Sequence, residues 1–283
     1  MTTRLMIMAA GMSSRMKKIP AGGNIPPELI EQARLRPKSM IGVGVDGRPF
    51  LEFLLAEVAA AGIQEVLLVL NPMDMVTQPH IRSMQTEGRF AGLIFRFAIQ
   101  YIAPERIKPS GTADAVLQAL VQTPDWQTER FLVCNADNLY SRKVLYLLAN
   151  SPYPQVLPAY TFEALGLPED RYRNLAIIKT DSEGYLTDLI EKPDEEAAQA
   201  YREAGFGVSM NAYALFAPDV LPFLTKVPYS PTRNEKELPA AIRLLAQTHP
   251  KSVQTILVAE PVPDLTGMED LMVVREKLTQ YYE

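Results

Sequence analysis

The sequence has very few of the residues that build disulfides and most transition-metal sites. Its only cysteine, Cys134, lies in an apolar run, so an intramolecular disulfide and a cysteine-rich metal centre are both excluded. Its two histidines, His80 and His249, have no spaced acidic or sulfur partners, so we expect surface or loop residues rather than a zinc site. A reducing, cytoplasmic location fits this composition.

Positive charge and long apolar runs are also scarce. The chain has 28 basic and 33 acidic residues and a net charge of −5, so no global field holds a nucleic-acid backbone and a phosphate ligand must be bound locally. No run approaches the roughly 18 apolar residues of a membrane-spanning helix. The short apolar run 5–12 is followed at once by Arg15, Lys17 and Lys18, which indicates a first strand rather than a signal peptide. Neither nucleic acid nor a membrane is expected as a partner.

The composition suits one large folded unit, since 47% of the 283 residues are hydrophobic and 22% are charged. We expect a single domain over residues 1–283. Its first half repeats a pattern of buried strand, loop and amphipathic helix, which is typical of parallel βαβ units. The predicted strands are 4–10, 65–70, 93–99 and 130–136, and the predicted helices lie near 49–62, 77–87 and 113–122.

After about residue 150 the hydrophobic residues alternate more, which indicates mixed or antiparallel sheet. Strands are predicted in 174–180, 185–191 and 208–216, the first two joined by the hairpin turn 181–184. Helices are predicted at 194–204, 235–247 and 268–281.

The segment LMIMAAGMSSRM (5–16) has the order of properties that a triphosphate site needs. An apolar strand runs into small residues that let the main chain approach a nucleotide, and then into hydroxyls and an arginine that bind phosphate oxygens. It is not a Walker loop, because no Gly-Lys-Ser/Thr ending follows. An ordinary glycine turn after a strand is the alternative.

AAGMSSRM resembles the AAGxGTRM opening of the sugar-phosphate nucleotidyltransferases, the glucose-1-phosphate thymidylyl-, uridylyl- and adenylyltransferases. Further segments that resemble the motifs of this family follow in order: RPKSMIGVGVDGRPFLEFLL (36–55), SGTADAV (110–116), VCNADN (133–138) and IEKP (190–193). The resemblance covers most of the chain and fades after about residue 215. It implies a three-layer α/β/α nucleotidyltransferase (Rossmann-like) fold with a mixed, mostly parallel central sheet, in which about 1–150 bind nucleotide and about 151–283 bind the acceptor.

The resemblance also implies that the first loop holds the triphosphate and that Lys38 reaches the phosphates near the reacting centre. Arg15 and Lys38 are the predicted catalytic residues, and a solvated loop lysine is the alternative for Lys38. The other predicted nucleotide-binding residues of the loop are Ala9, Ala10, Gly11, Ser13 and Ser14.

Asp137 closes an apolar strand, where side chains of an open α/β sheet meet ligands, and a carboxylate there suits Mg²⁺, the predicted cofactor. Capping of the next helix is the alternative, and Asn138 could serve there as well. The resemblance implies a second metal aspartate within a WxDxGT-like segment. VPDLTGMEDL (262–271) places it at Asp264, although the aromatic residue is absent and Thr-Gly is shifted by one. A turn residue before an acidic first helical turn is the alternative.

Two features point to different nucleobases. Gly111 and Thr112 belong to SGTADAV, which looks most like the motif of adenylyltransferases, and Gly111 would let a base approach the main chain. Gln100 resembles the amide that reads uracil or thymine in related enzymes, but it lies further from the Gly-Thr pair than in those relatives. The base stays open at this point.

On the acceptor side, the resemblance implies that Glu191 accepts a sugar hydroxyl and that Lys192 binds the phosphate of the sugar. Asn211, in VSMNAYALF (208–216), is predicted to face a sugar hydroxyl. The alternatives are an exposed charged strand end for the pair and a contact to neighbouring backbone for Asn211.

One departure from the family is the long segment between Arg15 and Lys38. Its Gly22-Gly23 is loop-like, and the residues after Pro26-Pro27 predict a short helix. We expect residues 17–35 to form a lid over the triphosphate or an arm that contacts a partner.

The predicted function is formation of an NDP-sugar from a nucleoside triphosphate and a sugar 1-phosphate with release of pyrophosphate. One alternative is a cytidylyltransferase acting on a phospho-alcohol such as phosphocholine. A second is a catalytically silent regulatory subunit that binds a nucleotide-sugar. A homo-oligomer is compatible with each of them.

Overall fold

The computed structural model describes residues 2–17, 25–166, 171, 175–191 and 193–282. Its strands are β1 (Arg4–Ala9), β2 (Glu65–Leu70), β3 (Ile94–Ile99), β4 (Arg130–Asn135), β5 (Gln155–Tyr160), β6 (Ala176–Thr180), β7 (Leu186–Glu191), β8 (Gly207–Ser209), β9 (Tyr213–Phe216) and β10 (Val253–Val258). Its α-helices include α1 (Pro27–Leu35), α2 (Phe50–Ala60), α3 (Thr77–Thr86), α4 (Thr112–Gln122) and α5 (Arg142–Asn150), then α6 (Phe162–Leu165), α7 (Glu195–Glu203), α8 (Ala217–Lys226), α9 (Leu238–Thr248) and α10 (Asp270–Tyr282). Short 3-10 helices span Lys38–Met40 and Pro124–Trp126.

One mixed sheet runs through both halves, in the order β3-β2-β1-β4-β9-β5-β8-β6-β7, with β10 paired to β5. The first four strands are parallel to one another, as predicted. β9 lies between β4 and β5 and is antiparallel to both. The carboxyl ends of β1 to β4 therefore meet at one edge of the sheet, where α/β proteins bind ligands.

Helices cover both faces of the sheet and enclose two hydrophobic cores. Alternate side chains of β1 show the division, since Leu5 and Ile7 pack in one core while Met6 and Met8 pack in the other. A strand buried on both faces has to be a continuous apolar run, which is why these strands were visible in the sequence. The predicted three-layer, mostly parallel fold is confirmed.

The second half is more irregular, although its predicted hairpin is present. β6 and β7 pair antiparallel, and their turn is closed by Gly184 N–H, which donates to Asp181 O at 3.1 Å. The single strand predicted over 208–216 is wrong. Asn211 has a left-handed φ of 57°, which interrupts the extended backbone and separates β8 from β9.

The helix predicted after Pro26 is confirmed as α1, but it is not a loosely attached lid. Leu29 and Ala33 are buried in the core, and Gln32 Oε1 accepts a hydrogen bond from Gly42 N–H at 2.8 Å. The helix is therefore anchored in the core, and the predicted lid or partner-contacting arm stays a prediction. The remaining part of that expectation, residues 18–24, lies outside the described residues.

The two histidines differ. His249 is exposed, as expected. His80 lies in α3 and is half-buried, with Nε2 2.7 Å from Oε1 of the buried Glu52, so the expectation of a surface or loop residue is wrong for His80.

In the described part of the chain, no helix has both the length and the apolar character needed to cross a membrane.

Candidate active site

The loop that follows β1 offers free space beside its main chain. A side chain added at Gly11 would meet no other atom within 4 Å, so packing does not require a glycine there, whereas close approach of a nucleotide would. Ser13 has a left-handed φ of 53°, and its Oγ accepts a hydrogen bond from Lys38 N–H at 3.2 Å. Ser14 and Arg15 are exposed. The predicted phosphate loop and the predicted catalytic lysine are therefore in direct contact.

The start of this loop is held by Asn71, which no motif singles out. Asn71 directly follows β2, and its Nδ2 donates to Ala10 O at 3.1 Å. Ala9 and Ala10 are themselves buried. A polar residue at the carboxyl end of a strand beside β1 was the available signal, because the same rule singled out Asp137.

Lys38 is not a solvated loop residue. It begins the 3-10 helix after Pro37, and the buried Met40 and Ile41 anchor that segment in the core. Its Nζ forms an ion pair with the carboxylate of Asp137 just beyond the end of β4, and both side chains are mostly shielded from solvent. The ion pair joins the loop after β1 to the end of β4.

A late segment of the chain returns to β4 and places Asp264 beside Asp137. The two segments form an isolated antiparallel bridge. Leu139 N–H donates to Pro263 O at 2.9 Å, and Leu265 N–H donates to Asp137 O at 2.9 Å. Two carboxylates that are far apart in the sequence thus lie beside each other.

Neither aspartate serves as a helix cap. Helix α5 is capped by Ser141, and the start of α10 is held by Asp270, whose Oδ2 accepts from two backbone N–H groups at 3.0 and 2.7 Å. Asp264 instead accepts a hydrogen bond from the Thr266 hydroxyl at 2.6 Å. The helix-cap alternative for Asp137 is therefore wrong, and the acidic first turn exists without using Asp264.

The electrostatics of this pair suit a bound cation. The pKa of Asp264 is raised to about 6, first by burial and then by the charge of Asp137, against the opposing effects of Thr266 and Lys38. Carboxylates that repel one another in a shielded place are stabilised by a cation between them. Among the described residues no group of three or more His, Cys, Asp or Glu forms a metal cluster. Two carboxylates fit Mg²⁺ because phosphate and water complete its coordination.

The predicted base-contacting residues are connected to one another. Gln100 is only 2% exposed, and its Nε2 donates to Gly111 O at 2.9 Å and to Asp114 Oδ2 at 2.8 Å. Gly111 has a φ of +111°, and a Cβ there would lie 2.4 Å from Lys236 O. The protein's own backbone therefore requires this glycine, whether or not a base approaches it.

The hydroxyl of Thr112 is directed elsewhere. Its Oγ1 accepts a hydrogen bond from Leu238 N–H at 2.8 Å, at the start of α9. The side chain of Thr112 thus joins α4 to α9, and its predicted contact with nucleotide stays a prediction.

On the acceptor side, Glu191 ends β7 and lies opposite Ala176 of β6. Tyr213 donates a hydrogen bond to Asn211 Oδ1 at 3.3 Å. Burial raises the pKa of Tyr213, and the charge of Glu191 contributes to the rise, so Glu191, Tyr213 and Asn211 share one neighbourhood. Lys192 lies outside the described residues, and its predicted contact with phosphate stays a prediction.

Comparison with known families identifies the family of this chain. The model of the family described as Nucleotidyl transferase matches residues 29–277. The chain belongs to this family. The resemblance to sugar-phosphate nucleotidyltransferases is thereby confirmed, and the matched part of this nucleotidyltransferase contains Lys38, Asp137 and Asp264.

Two curated relatives are similar to this nucleotidyltransferase over part of their length. One is the CMP-5'-(3-aminopropyl)phosphonate synthase of Streptomyces rubellomurinus (strain ATCC 31215), 26% identical over 218 residues, or 75% of this chain and 28% of the relative. Another is the glucose-1-phosphate adenylyltransferase of Anaeromyxobacter dehalogenans (strain 2CP-C), 26% identical over 150 residues, or 52% of this chain and 35% of the relative. The chain spans about a third of the length of these relatives.

Solved structures match over nearly the whole chain. A UDP-glucose pyrophosphorylase complexed with UDP-glucose superposes with a TM-score of 0.71 at 18% identity, covering 99% of both chains. The apo form of a UDP-glucose pyrophosphorylase gives 0.70 at 16% identity, again over 99% of both chains. At such identities the likeness shows the nucleotidyltransferase fold alone.

Proposed function

We propose that this nucleotidyltransferase forms an NDP-sugar from a nucleoside triphosphate and a sugar 1-phosphate and releases pyrophosphate. The observation that carries the proposal is the convergence of Lys38, Asp137 and Asp264 beside the Ser13 loop. Two carboxylates, an ammonium and an open main-chain loop are the groups that phosphoryl transfer requires. Membership of the family supports the reaction class.

In this mechanism a phosphate oxygen of the acceptor attacks the α-phosphorus of the nucleotide in line. The bond from the α-phosphorus to the bridging oxygen breaks, and pyrophosphate leaves with that electron pair. The acceptor oxygen is already ionised, so no general base is needed. Positioning and charge neutralisation therefore account for most of the rate enhancement.

Each group of the site has a role in that displacement. The main chain of the loop, with Ser13, Ser14 and Arg15, binds the triphosphate. Lys38 supplies positive charge near the α-phosphate. Asp137 and Asp264 would hold Mg²⁺, which neutralises the phosphate oxygens when bound.

The acceptor half supplies the second substrate's contacts in this proposal. Glu191 and Asn211 would bind hydroxyl groups of the sugar, and Lys192 its phosphate. We also propose a cytoplasmic location, since the single cysteine is buried as a free thiol.

A cytidylyltransferase is the second candidate, and a specific observation favours it. The relative with the longer matched region is named for a product that carries CMP on an aminopropyl phosphonate. That name contains a phosphonate and no sugar. A phospho-alcohol or a phosphonate is therefore the alternative acceptor for this chain. The shared position of Lys38, Asp137 and Asp264 argues against a silent regulatory subunit.

A substrate matrix tests the proposal. Four nucleoside triphosphates are each combined with sugar 1-phosphates, phosphocholine and an aminoalkyl phosphonate, with Mg²⁺ present and pyrophosphate release as the readout. We expect release with at least one sugar 1-phosphate. Release only with phosphocholine or the phosphonate would replace the first proposal by the second, and no release with any pair would contradict both.

A further inference from the structure

We infer that Arg171 and Asp270 hold the proposed metal ligand Asp264 in position. They act through Thr266, which lies between the two aspartates in the chain. The inference rests on the proposed function, because it assumes that Asp264 binds Mg²⁺. No motif in the sequence includes Arg171, so its contacts in the fold are what point to this role.

Thr266 contacts both aspartates of the segment that returns to β4. Its hydroxyl donates to Asp264 Oδ2 at 2.6 Å, and its backbone N–H donates to Asp270 Oδ2 at 3.0 Å. The same Asp270 oxygen accepts from Gly267 N–H at 2.7 Å. Because one residue binds both carboxylates, a displacement of Asp270 would move Thr266 and turn the carboxylate of Asp264. The orientation of the proposed metal ligand therefore depends on Asp270.

Asp270 serves this site indirectly, since its own oxygens are engaged. Oδ2 accepts the two backbone hydrogen bonds, and Oδ1 accepts from the guanidinium of Arg171. The residue is only 7% exposed. A buried carboxylate is costly unless it is paired and hydrogen-bonded, so Asp270 keeps its place only with a cation beside it. Its role is that of a group behind the metal ligand, which orients the ligand without contacting the ion.

Arg171 supplies that cation from the acceptor half of the chain. It lies between α6 and β6, and its side chain is 23% exposed. Its Nη2 pairs with Asp270 and lies 3.7 Å from Oε1 of Glu269, whose side chain is 61% exposed. Loss of the guanidinium would leave the buried carboxylate of Asp270 without this partner, and the turn around Thr266 would rearrange. One chain of contacts thus runs from the acceptor half to the metal ligand: Arg171, Asp270, Thr266 and Asp264.

The charge of Arg171 acts on the metal site in the opposite direction to its hydrogen bond. Burial lowers the pKa of Arg171, and the hydrogen bond to Asp270, followed by the charges of Asp270 and Asp264, raises it above its usual value. The guanidinium is therefore close enough to Asp264 to interact with its charge, and a cation there repels Mg²⁺. Removal of Arg171 should tighten metal binding if only its charge matters, and weaken metal binding if it positions Asp264. The direction of the change distinguishes the two roles.

Titration of the free protein with Mn²⁺, which replaces Mg²⁺ and is followed by the electron paramagnetic resonance of the free ion, tests this inference. We expect Arg171→Met to weaken Mn²⁺ binding about tenfold, since loss of a group behind a metal ligand costs about that factor. Arg171→Lys keeps an ammonium for the contact that Nη2 makes with Asp270. Its affinity for Mn²⁺ should stay within about threefold of that of the unaltered protein.

Thr266→Val tests the other end of the chain of contacts. Valine keeps the shape of threonine and the backbone N–H that binds Asp270, but it removes the hydroxyl that binds Asp264. We expect about tenfold weaker Mn²⁺ binding here as well. The double variant Arg171→Met/Thr266→Val should also lose about tenfold, and not about a hundredfold, because the effects of residues that act through one another are not additive.

Glu269→Gln is the matched control, because it removes a carboxylate that faces Arg171 from an exposed position. It should bind Mn²⁺ within about twofold of the unaltered protein, since exposed charges are screened. Pyrophosphate release with the active substrate pair gives a second readout. The Mg²⁺ concentration for half-maximal release should rise about tenfold in Arg171→Met, while the KM for the nucleoside triphosphate at saturating Mg²⁺ changes less than about twofold. A merely structural loss would instead lower kcat at every Mg²⁺ concentration.

Unchanged or tighter Mn²⁺ binding by Arg171→Met, additive losses in the double variant or an equal loss in Glu269→Gln would each overturn the inference. If Arg171→Met does not fold, Thr266→Val decides, because it leaves the ion pair intact, and an unchanged affinity there overturns the inference as well. Failure of the unaltered protein to bind Mn²⁺ would instead contradict the proposed metal site, and with it the proposed function.

Discussion

The two halves of the sheet build their parts of the site in different ways. In the first half, parallel strands end together, and the loop after β1 presents Gly11 and Ser13 from a local stretch of chain. In the second half, β9 pairs antiparallel with β4 and the chain then returns through 262–267, which places Asp264 beside Asp137. Local sequence thus specifies the proposed phosphate loop, whereas the position of the second carboxylate depends on where a distant segment docks.

The sharpest difference expected between the halves is in turnover. Asp137→Asn, in the first half, should reduce pyrophosphate release by about 10²–10³-fold, because an amide poorly replaces an anionic ligand of Mg²⁺ and also loses the ion pair with Lys38. Circular dichroism should show an unchanged fold, since Ser141 and not Asp137 caps α5. Glu183→Gln, at a side chain 60% exposed in the hairpin turn, is the control for a lost charge. Near-normal activity of Asp137→Asn would reject the metal-binding role.

The two halves of the chain meet where Gly111, at the start of α4, lies against the backbone of Lys236, and a substitution at Gly111 should disrupt this contact. Gly111→Ala should lower the free energy of unfolding by about 3 kcal/mol, because alanine disfavours positive φ and its Cβ would lie 2.4 Å from Lys236 O. Urea unfolding measures the change. Gly92→Ala is the matched control, since a Cβ at Gly92 meets nothing within 4 Å. Equal stability of the two variants would mean that the close approach of Lys236 is not present in solution.

The segment 262–267, which returns to β4 and carries Asp264, should lower the stability of the folded protein. Asp264 has a pKa of about 6 in the fold, above the ordinary 3.8 of an aspartate, so the folded protein disfavours its charged form. Asp264→Asn should therefore stabilise the protein without Mg²⁺ at pH 7 by roughly 1–3 kcal/mol. The gain should be full above about pH 6 and disappear only below about pH 4, the range in which the unfolded state also takes up the proton. Thermal unfolding across this range measures it, and a gain that does not depend on pH would contradict the cause.

The smallest expected effect lies in the acceptor half. Lys192→Ala should raise the KM for the acceptor about tenfold and leave that for the nucleoside triphosphate unchanged, because its predicted partner is the acceptor phosphate. Steady-state kinetics with each substrate varied in turn provide the measurement. An equal rise for both substrates would refute the assignment and weaken the division of the sheet into two binding halves.

The regular parts of the fold could be predicted because burial leaves a local signature. β2 was predicted over 65–70 and is found there, and the predicted 130–136 differs from β4 by one residue. No such signature marks β5, which contains Pro158, or α8, which contains Pro222 inside the helix. β10 was missed as well, since Leu257 is 70% exposed and the strand lacks a clean apolar run. Proline and exposed positions argue locally against a strand or a helix at these places. Tertiary contacts nevertheless stabilise these elements in the fold.

The sequence alone sufficed to predict the family and to suggest the proposed phosphate loop after β1 and the groups that would bind phosphate and metal. It did so because each of these depends on a short stretch of chain. Tertiary contacts alone place Asp264 beside Asp137, direct Thr112 towards Leu238 and bind the Gln100 amide to Asp114. Hydrogen bonds and charges act across space, between residues whose separation along the chain carries no information about their distance.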